Sequence, residues 1–439
     1  MSSSKSVDRE APVQGAIVIH PDREGRSLSR QADARLDEAV GLALALDLDV
    51  RETLVASLRR LTPATLFGKG KVDEIGHVVE LAKADVAVVD DALTPVQQRN
   101  LEKAWNCKVI DRTGLILEIF ARRARTREGR LQVELARLSY ERSRLVRTWT
   151  HLERQRGGFG VMGGPGETQI ETDRRLLADK IRKLKAELAE VRRTRTLQRS
   201  ARKRHPYPTV ALVGYTNAGK STLFNRLTRS EVVAADLLFA TLDPTLRLLK
   251  LPDGRPAILS DTVGFISDLP HELVEAFRAT LEEVKEADVV LHVRDIASAE
   301  SAAQAGDVRE VLGKLGVEMD DRAVLEVWNK LDLLAPQDRE IVAGDARRAH
   351  PPAIPLSAAT GEGCEALLAA VAALVDEAPP VDVFTPVGEG AAIAWLYRHG
   401  RVLERNDGKD GSVRLAVSLS PQALGQFEQQ FPAAEVRGH

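Results

Sequence analysis

Cysteine is nearly absent from this chain. Cys107 and Cys364 are the only two among 439 residues, so there is no disulfide framework and no metal-ligand spacing. Both read as ordinary core residues in a reducing compartment. Aromatic residues make up 4%, and the longest apolar stretches, 40–48 and 366–375, fall short of the roughly 20 residues that cross a bilayer. No membrane span is expected. Residues 1–8 are polar and Ser-rich with no apolar run behind them, which argues against a secretory signal and for a cytoplasmic location. An excess of one charge is also missing: 62 basic residues face 64 acidic ones.

The balance hides an asymmetry. Between residues 122 and 204 there are 24 Lys or Arg against 10 Asp or Glu, so one segment is strongly basic while the rest of the chain is acidic. With 44% hydrophobic residues and about 150 residues per domain, the length implies roughly three folded units.

Residues 15–20 read as a strand and 31–46 as a helix with Leu36, Val40, Ala43 and Leu44 on one face. A short strand near 65–67, a helix over 72–83, a strand at 85–89, a helix over 95–105 and a strand at 108–110 continue the alternation. A small α/β domain with a mostly parallel sheet is expected. The glycine-basic loop 67–71 is either a solvated turn or an anion contact. From Leu131 the apolar positions 131, 135, 138, 145, 149 and 152 form a heptad seam, and Ile170, Leu177, Ile181, Leu184, Leu188 and Val191 form a second. Two such helices joined by the glycine-rich segment 157–166 predict an antiparallel hairpin. Six glycines beside Phe159 and Met162 make that tip a candidate recognition surface, the alternative being a passive flexible turn. After a basic linker a third domain begins at Thr209, and Pro379-Pro380 close it. The tail has strand candidates at 391–396 and 413–419 and a helix at 421–431. Expected domains are 1–112, 113–205, 206–378 and 379–439: an N-terminal α/β domain, the hairpin, a doubly wound P-loop domain and a small C-terminal α+β domain.

The apolar strand 209–213 leads into Gly214-Tyr-Thr-Asn-Ala-Gly-Lys-Ser221 and then a helix, which is the pattern G-x-x-x-x-G-K-[ST] in the context it requires. Backbone N–H groups of such a loop cradle phosphates. Gly214, Tyr215, Thr216, Asn217, Ala218, Gly219, Lys220, Ser221 and Thr222 are therefore assigned to nucleotide, with Lys220 on the β and γ oxygens and Ser221 on Mg²⁺. The strand 257–261 ends in Asp261-Thr-Val-Gly264, where the carboxylate suits Mg²⁺ and the Gly264 N–H suits the γ-phosphate. Asn329-Lys330-Leu-Asp332 follows another strand. A carboxylate at Asp332 accepts two hydrogen bonds that guanine offers and adenine does not, so the nucleotide is GTP, with GDP as product. Ser357 and Ala358 suit a loop whose backbone meets the guanine oxygen. Phe239 and Thr241 lie in the intervening region, and Thr241, ahead of its neighbour Thr245, is expected to complete the metal and γ-phosphate shell with Ser221 and Asp261. Lys220, Thr241 and Gly264 are the candidate catalytic groups. Phe265 stands where many small GTPases carry a water-orienting glutamine, so slow unassisted turnover is expected.

These motifs, together with Gly164-Pro-Gly-Glu-Thr-Gln-Ile-Glu171, Asp173-Arg-Arg175, Phe239-Ala-Thr-Leu-Asp-Pro244, Asp261-Thr-Val-Gly-Phe-Ile266 and Leu269-Pro-His271, make the chain resemble the HflX family among the Era/Obg-like GTPases. The resemblance runs from about residue 15 to 419. It implies binding to the large ribosomal subunit and its rRNA, ribosome-stimulated hydrolysis and separation of stalled ribosomes under stress. The basic segment fits independently, since phosphates attract it. Asn217 matches the asparagine that in related GTPases holds a potassium ion, so K⁺ is a further candidate cofactor. No feature demands a dimer, and a monomer is expected. The rival reading is a GTP-gated RNA-binding or scaffold protein with incidental turnover; an RNA-remodelling ATPase would rest on the 67–71 loop alone.

Overall fold

The computed structural model describes residues 13–23, 32–155, 165–202, 207–230, 238–239, 241–242, 245–269, 283–314, 316–317, 323–375, 381–386, 388–408, 412–419 and 421–438. Most of the 157–166 tip lies outside them, as do Asp243, Pro244, Pro270 and His271. The chain divides into two compact bodies, one of residues 1–250 and 256–364, the other of residues 251–255 and 365–439.

The first body opens with a four-stranded parallel sheet of β1 (Gly15–Arg23), β2 (Asp49–Leu58), β3 (Val86–Val89) and β4 (Lys108–Asp111), in the order β2-β1-β3-β4. β3 is buried along its whole length and β1 over all but its last two residues, as continuous Val/Ile runs require when helices cover both faces. Those helices are α1 (Ala32–Leu44), α2 (Lys69–Leu81), α3 (Pro95–Trp105) and α4 (Arg112–Arg123). α3 begins where its sequence dictates: the Thr94 hydroxyl accepts from the Gln97 N–H, the Gln97 side chain accepts from the Thr94 N–H, and Pro95 fills the first turn. The expected strand at 65–67 is instead a tight turn with a Thr62–Leu66 bridge, and the sheet takes its edge strand from 49–58, which opens on the charged residues Asp49, Arg51 and Glu52. Gly68 caps α2 and Lys71 pairs with Glu74.

α5 (Arg127–Gln155) and α6 (Pro165–Arg202) form the hairpin. A 29-residue helix is about 43 Å long, more than the short connection between the two can span, so they run antiparallel. Leu138, Ile181 and Leu184 are buried between them with Leu131, Leu135 and Leu177 alongside, and Lys180 pairs with Glu134.

The second sheet holds β5 (Thr209–Gly214), β6 (Thr245–Lys250), β7 (Pro256–Asp261), β8 (Val289–Asp295), β9 (Ala323–Asn329) and β10 (Ala353–Pro355), ordered β10-β9-β8-β5-β7-β6 with only β6 antiparallel. With it go α7 (Lys220–Thr228), α8 (Ser301–Lys314) and α9 (Pro336–Ala346). The strand order reverses around β5, and the crevice at such a reversal is where open α/β sheets bind ligands.

The second body contains α10 (Cys364–Leu374) from its second residue on, then β11 (Val381–Thr385), α11 (Gly390–His399), β12 (Arg401–Asp407), β13 (Val413–Ser418), α12 (Pro421–Gln430) and β14 (Glu435–Gly438). Its antiparallel sheet, β12-β13-β11-β14, packs on Leu396 and Phe427. Residues 391–396, expected as a strand, are helical. An apolar run that short has no decisive period, and its alanines and leucine favour helix once Leu396 and Ala392 have a core to face.

Candidate functional site

The strand β5 ends at Gly214, and the chain turns back on itself to start α7 at Lys220. Gly219 carries the left-handed conformation that the turn needs, φ 92°, and a Cβ there would lie 2.1 Å from Asn329 Nδ2. Only glycine fits. Asn217 also sits at positive φ and is exposed, Thr222 is exposed on α7, and Thr216 is buried. Lys220 is buried and its Nζ donates to the carbonyls of Gly214, at 3.0 Å, and Tyr215, at 2.7 Å. Burial pushes its ammonium down to about 8, with Asp261 opposing the shift.

Three side chains from three segments converge beside it. Ser221 Oγ lies 2.9 Å from Thr241 Oγ1 and donates to Asp261 Oδ2 at 2.8 Å, and Thr241 Oγ1 donates to the same oxygen at 3.0 Å. Burial raises the Asp261 carboxyl, against the pull of Lys220 and these hydroxyls. Among the described residues its other oxygen, Oδ1, is buried with no hydrogen-bond partner. Two hydroxyls and a carboxylate with a free oxygen are hard donors suited to Mg²⁺, so these residues fit the ion expected for them. Thr245, the alternative to Thr241, opens β6 opposite Asp261 in the ladder. Gly264 follows closely: a Cβ on it would come within 3.0 Å of Lys220 Nζ and 2.9 Å of Thr216 Cγ2. Phe265 bridges to Tyr215, its carbonyl taking the Thr216 N–H at 2.7 Å.

Asn329 is buried and works as a strut. Its Nδ2 donates to the Ala218 carbonyl at 2.8 Å and its Oδ1 accepts from the Ala358 N–H at 2.9 Å, tying the phosphate loop to the loop after β10. Lys330 Nζ pairs with Asp295 at 2.8 Å, Asp332 lies in the short turn Leu331–Leu333, and Ser357 Oγ accepts from the Thr360 N–H. Phe239 departs from its expected place. Its ring, 2% exposed, packs edge-on against Phe120 of α4 with centroids 4.6 Å apart, so it holds its segment to that helix.

Four family models match in sequence order: an N-terminal GTP-binding GTPase region over residues 33–121, a GTP-binding GTPase middle region over 123–202, a 50S ribosome-binding GTPase over 209–330 and an HflX C-terminal domain over 345–437. The GTPase HflX of Magnetococcus marinus is 53% identical over 91% of this chain and 92% of its own, and that of Escherichia coli 44% identical over the same shares. The chain belongs to the HflX family of GTPases. A GTP-binding protein from Sulfolobus solfataricus in complex with GDP aligns over 82% of this chain and 98% of its own at 24% identity, with a TM-score of 0.44.

HflX membership makes the chain a GTP-binding, GTP-hydrolysing protein, and the loop, the acid–hydroxyl cluster and the Asn329 strut form one candidate centre for that activity. Three residues outside the motifs carry no signal in the sequence: Glu38 and Ser267, which meet the Tyr215 hydroxyl, and Arg112, which braces both of them. Ser267 lies three positions beyond Gly264, but the other two belong to the N-terminal domain and reach the centre only through the fold. Among the described residues no group of His, Cys, Asp and Glu forms another metal site, and no helix is long and apolar enough to cross a membrane.

Proposed function

We propose that this HflX-family GTPase docks in its Mg²⁺·GTP form on the large ribosomal subunit through its basic hairpin, that the subunit stimulates hydrolysis, and that hydrolysis releases it. Parting stalled ribosomes into subunits under stress is the physiological step this cycle serves. One observation carries the reading: a net excess of 14 positive charges over residues 122–204, 8 of them on helices of 29 and 38 residues and 6 on the segments that flank these helices. A long cationic arm gains affinity by displacing counterions from rRNA phosphates. The described match to a 50S ribosome-binding GTPase over 209–330 supports the same partner.

Within the cycle, Lys220 neutralises the β and γ oxygens, Ser221, Thr241 and Asp261 hold Mg²⁺, and the Gly264 N–H bonds the γ-phosphate. Magnesium bound there supplies charge neutralisation on the phosphates. Asp332 selects guanine while Asn329 fixes the loops around it. Asn217, exposed on the phosphate loop, is positioned to take a potassium ion. With Phe265 in place of a water-orienting side chain, ordering of the attacking water falls to the ribosome. The working division is the N-terminal domain, residues 1–112, the hairpin, 113–205, the G domain, 206–378, and a C-terminal domain, 379–439.

Sedimentation with purified large subunits tests this. The protein should pellet with a non-hydrolysable GTP analogue and far less with GDP, binding should fall steeply with salt, and replacing the exposed Lys183 and Lys185 by Glu should weaken it severalfold. Binding indifferent to salt and to those replacements contradicts the hairpin's role.

A further inference from the structure

One buried carboxylate collects groups from three distant segments. Glu38, on α1, is 9% exposed. Its Oε1 accepts from Ser267 Oγ at 2.7 Å and from the Arg112 guanidinium, and its Oε2 accepts from the Tyr215 hydroxyl. Arg112 also donates to Asp90 and to the Ser267 carbonyl at 2.9 Å, and the Ser267 N–H donates to the Tyr215 hydroxyl at 2.8 Å. Asp90 in turn meets His20 Nδ1 at 2.8 Å. Ser267 thus has its N–H, carbonyl and hydroxyl all engaged, three residues past Gly264. Tyr215 lends its backbone to the phosphate loop and its hydroxyl to Glu38.

The segment carrying Thr241 is held from the same side. Phe239, at φ 57°, packs on Phe120, and Leu238 lies so close to α1 that a Cβ on Gly41 would be 3.1 Å from it. With both segments held, Thr241 stays on Ser221 and Asp261, and Gly264 stays against Lys220. Ordering a segment before a ligand arrives spares that ligand the entropy of ordering it. Only a nucleotide with a γ-phosphate uses Thr241 and Gly264, so only GTP gains.

We propose that Glu38 is a positioning residue of the GTPase reaction: from the N-terminal domain it holds Tyr215 and Ser267 so that Gly264 is pre-set for the γ-phosphate, favouring GTP over GDP. Its loss removes charge-assisted hydrogen bonds, each worth about a factor of ten or more in the equilibrium it biases.

The test is Glu38→Ala and Glu38→Gln in the full chain, with affinities for GDP and a non-hydrolysable GTP analogue and with kcat and KM measured separately. The expected result is an analogue affinity and a kcat each about tenfold lower, with GDP affinity unchanged. Because these variants leave Arg112 short of a partner, Tyr215→Phe and Ser267→Ala, which delete one hydroxyl each, decide the matter if the Glu38 variants fold poorly. Each should lower the analogue-to-GDP affinity ratio about threefold in a variant that still folds, with a modest fall in melting temperature. Folded variants with an unchanged ratio, or with equal losses for both nucleotides, overturn the proposal, since a purely structural contact moves both alike.

Discussion

The buried Lys220 ammonium makes nucleotide affinity depend on pH in a calculable way. In the protein alone burial sets it at about 8, so about nine-tenths of the molecules carry the charge at pH 7 and about one-tenth at pH 9. Phosphates beside Nζ favour the charged form, so binding raises the pKa and takes up a proton. Affinity is therefore complete below pH 8 and lost as pH rises through 8, by about tenfold between pH 7 and pH 9. At pH 8.5 roughly three-quarters of a proton should enter per nucleotide bound. Calorimetric titration with GDP in two buffers of different ionisation enthalpy reads that uptake directly. Lys220→Arg, whose guanidinium stays charged throughout, should abolish it. Affinity flat across this range, with no proton uptake by the parent protein, would refute the reasoning.

The same shift runs the other way for stability: the unfolded lysine keeps its proton to about 10.5, so this group adds stability as pH rises from 8 towards 10.5, visible as a rising midpoint in urea unfolding of the protein alone. Asn329→Ala removes two buried hydrogen bonds and should cost about 2–4 kcal/mol in urea unfolding, with GTP and GDP affinity falling together. Gly264→Ala forces a methyl against Lys220 and Thr216, so hydrolysis should drop at least tenfold while GDP affinity, which needs no Gly264 N–H, holds. Phe120→Ala should destabilise the fold by about 3–5 kcal/mol and, by freeing Phe239, raise KM for GTP more than it weakens GDP.

Much of the centre was legible because its chemistry is local in sequence. A phosphate loop needs glycines, a lysine and a hydroxyl at fixed spacing, and Gly219, Lys220 and Ser221 stand where that spacing puts them. Helix α3 was legible for the same reason, its cap written in Thr94, Pro95 and Gln97. What stayed hidden is contact across the fold. Glu38 and Ser267 are 229 positions apart, and nothing in either neighbourhood announces the other. Phe239 carried a family motif, yet the motif does not say that its ring faces Phe120. Nor did N-K-x-D reveal that Asn329 spends both polar atoms on backbone groups of Ala218 and Ala358. Strand β2 was missed because an edge strand keeps only part of its surface apolar, and the run at 391–396 because six residues cannot declare a period.

The most direct test of the account is steady-state GTP hydrolysis by the full-length protein, alone and with purified large ribosomal subunits, beside Asp332→Asn as the control for guanine selection. The account predicts slow turnover alone and strong acceleration by the subunits, with the Asp332→Asn variant needing far more GTP to reach it. Equal rates with and without subunits, under conditions where the protein still binds them, would contradict it and leave a GTP-gated RNA-binding protein in its place.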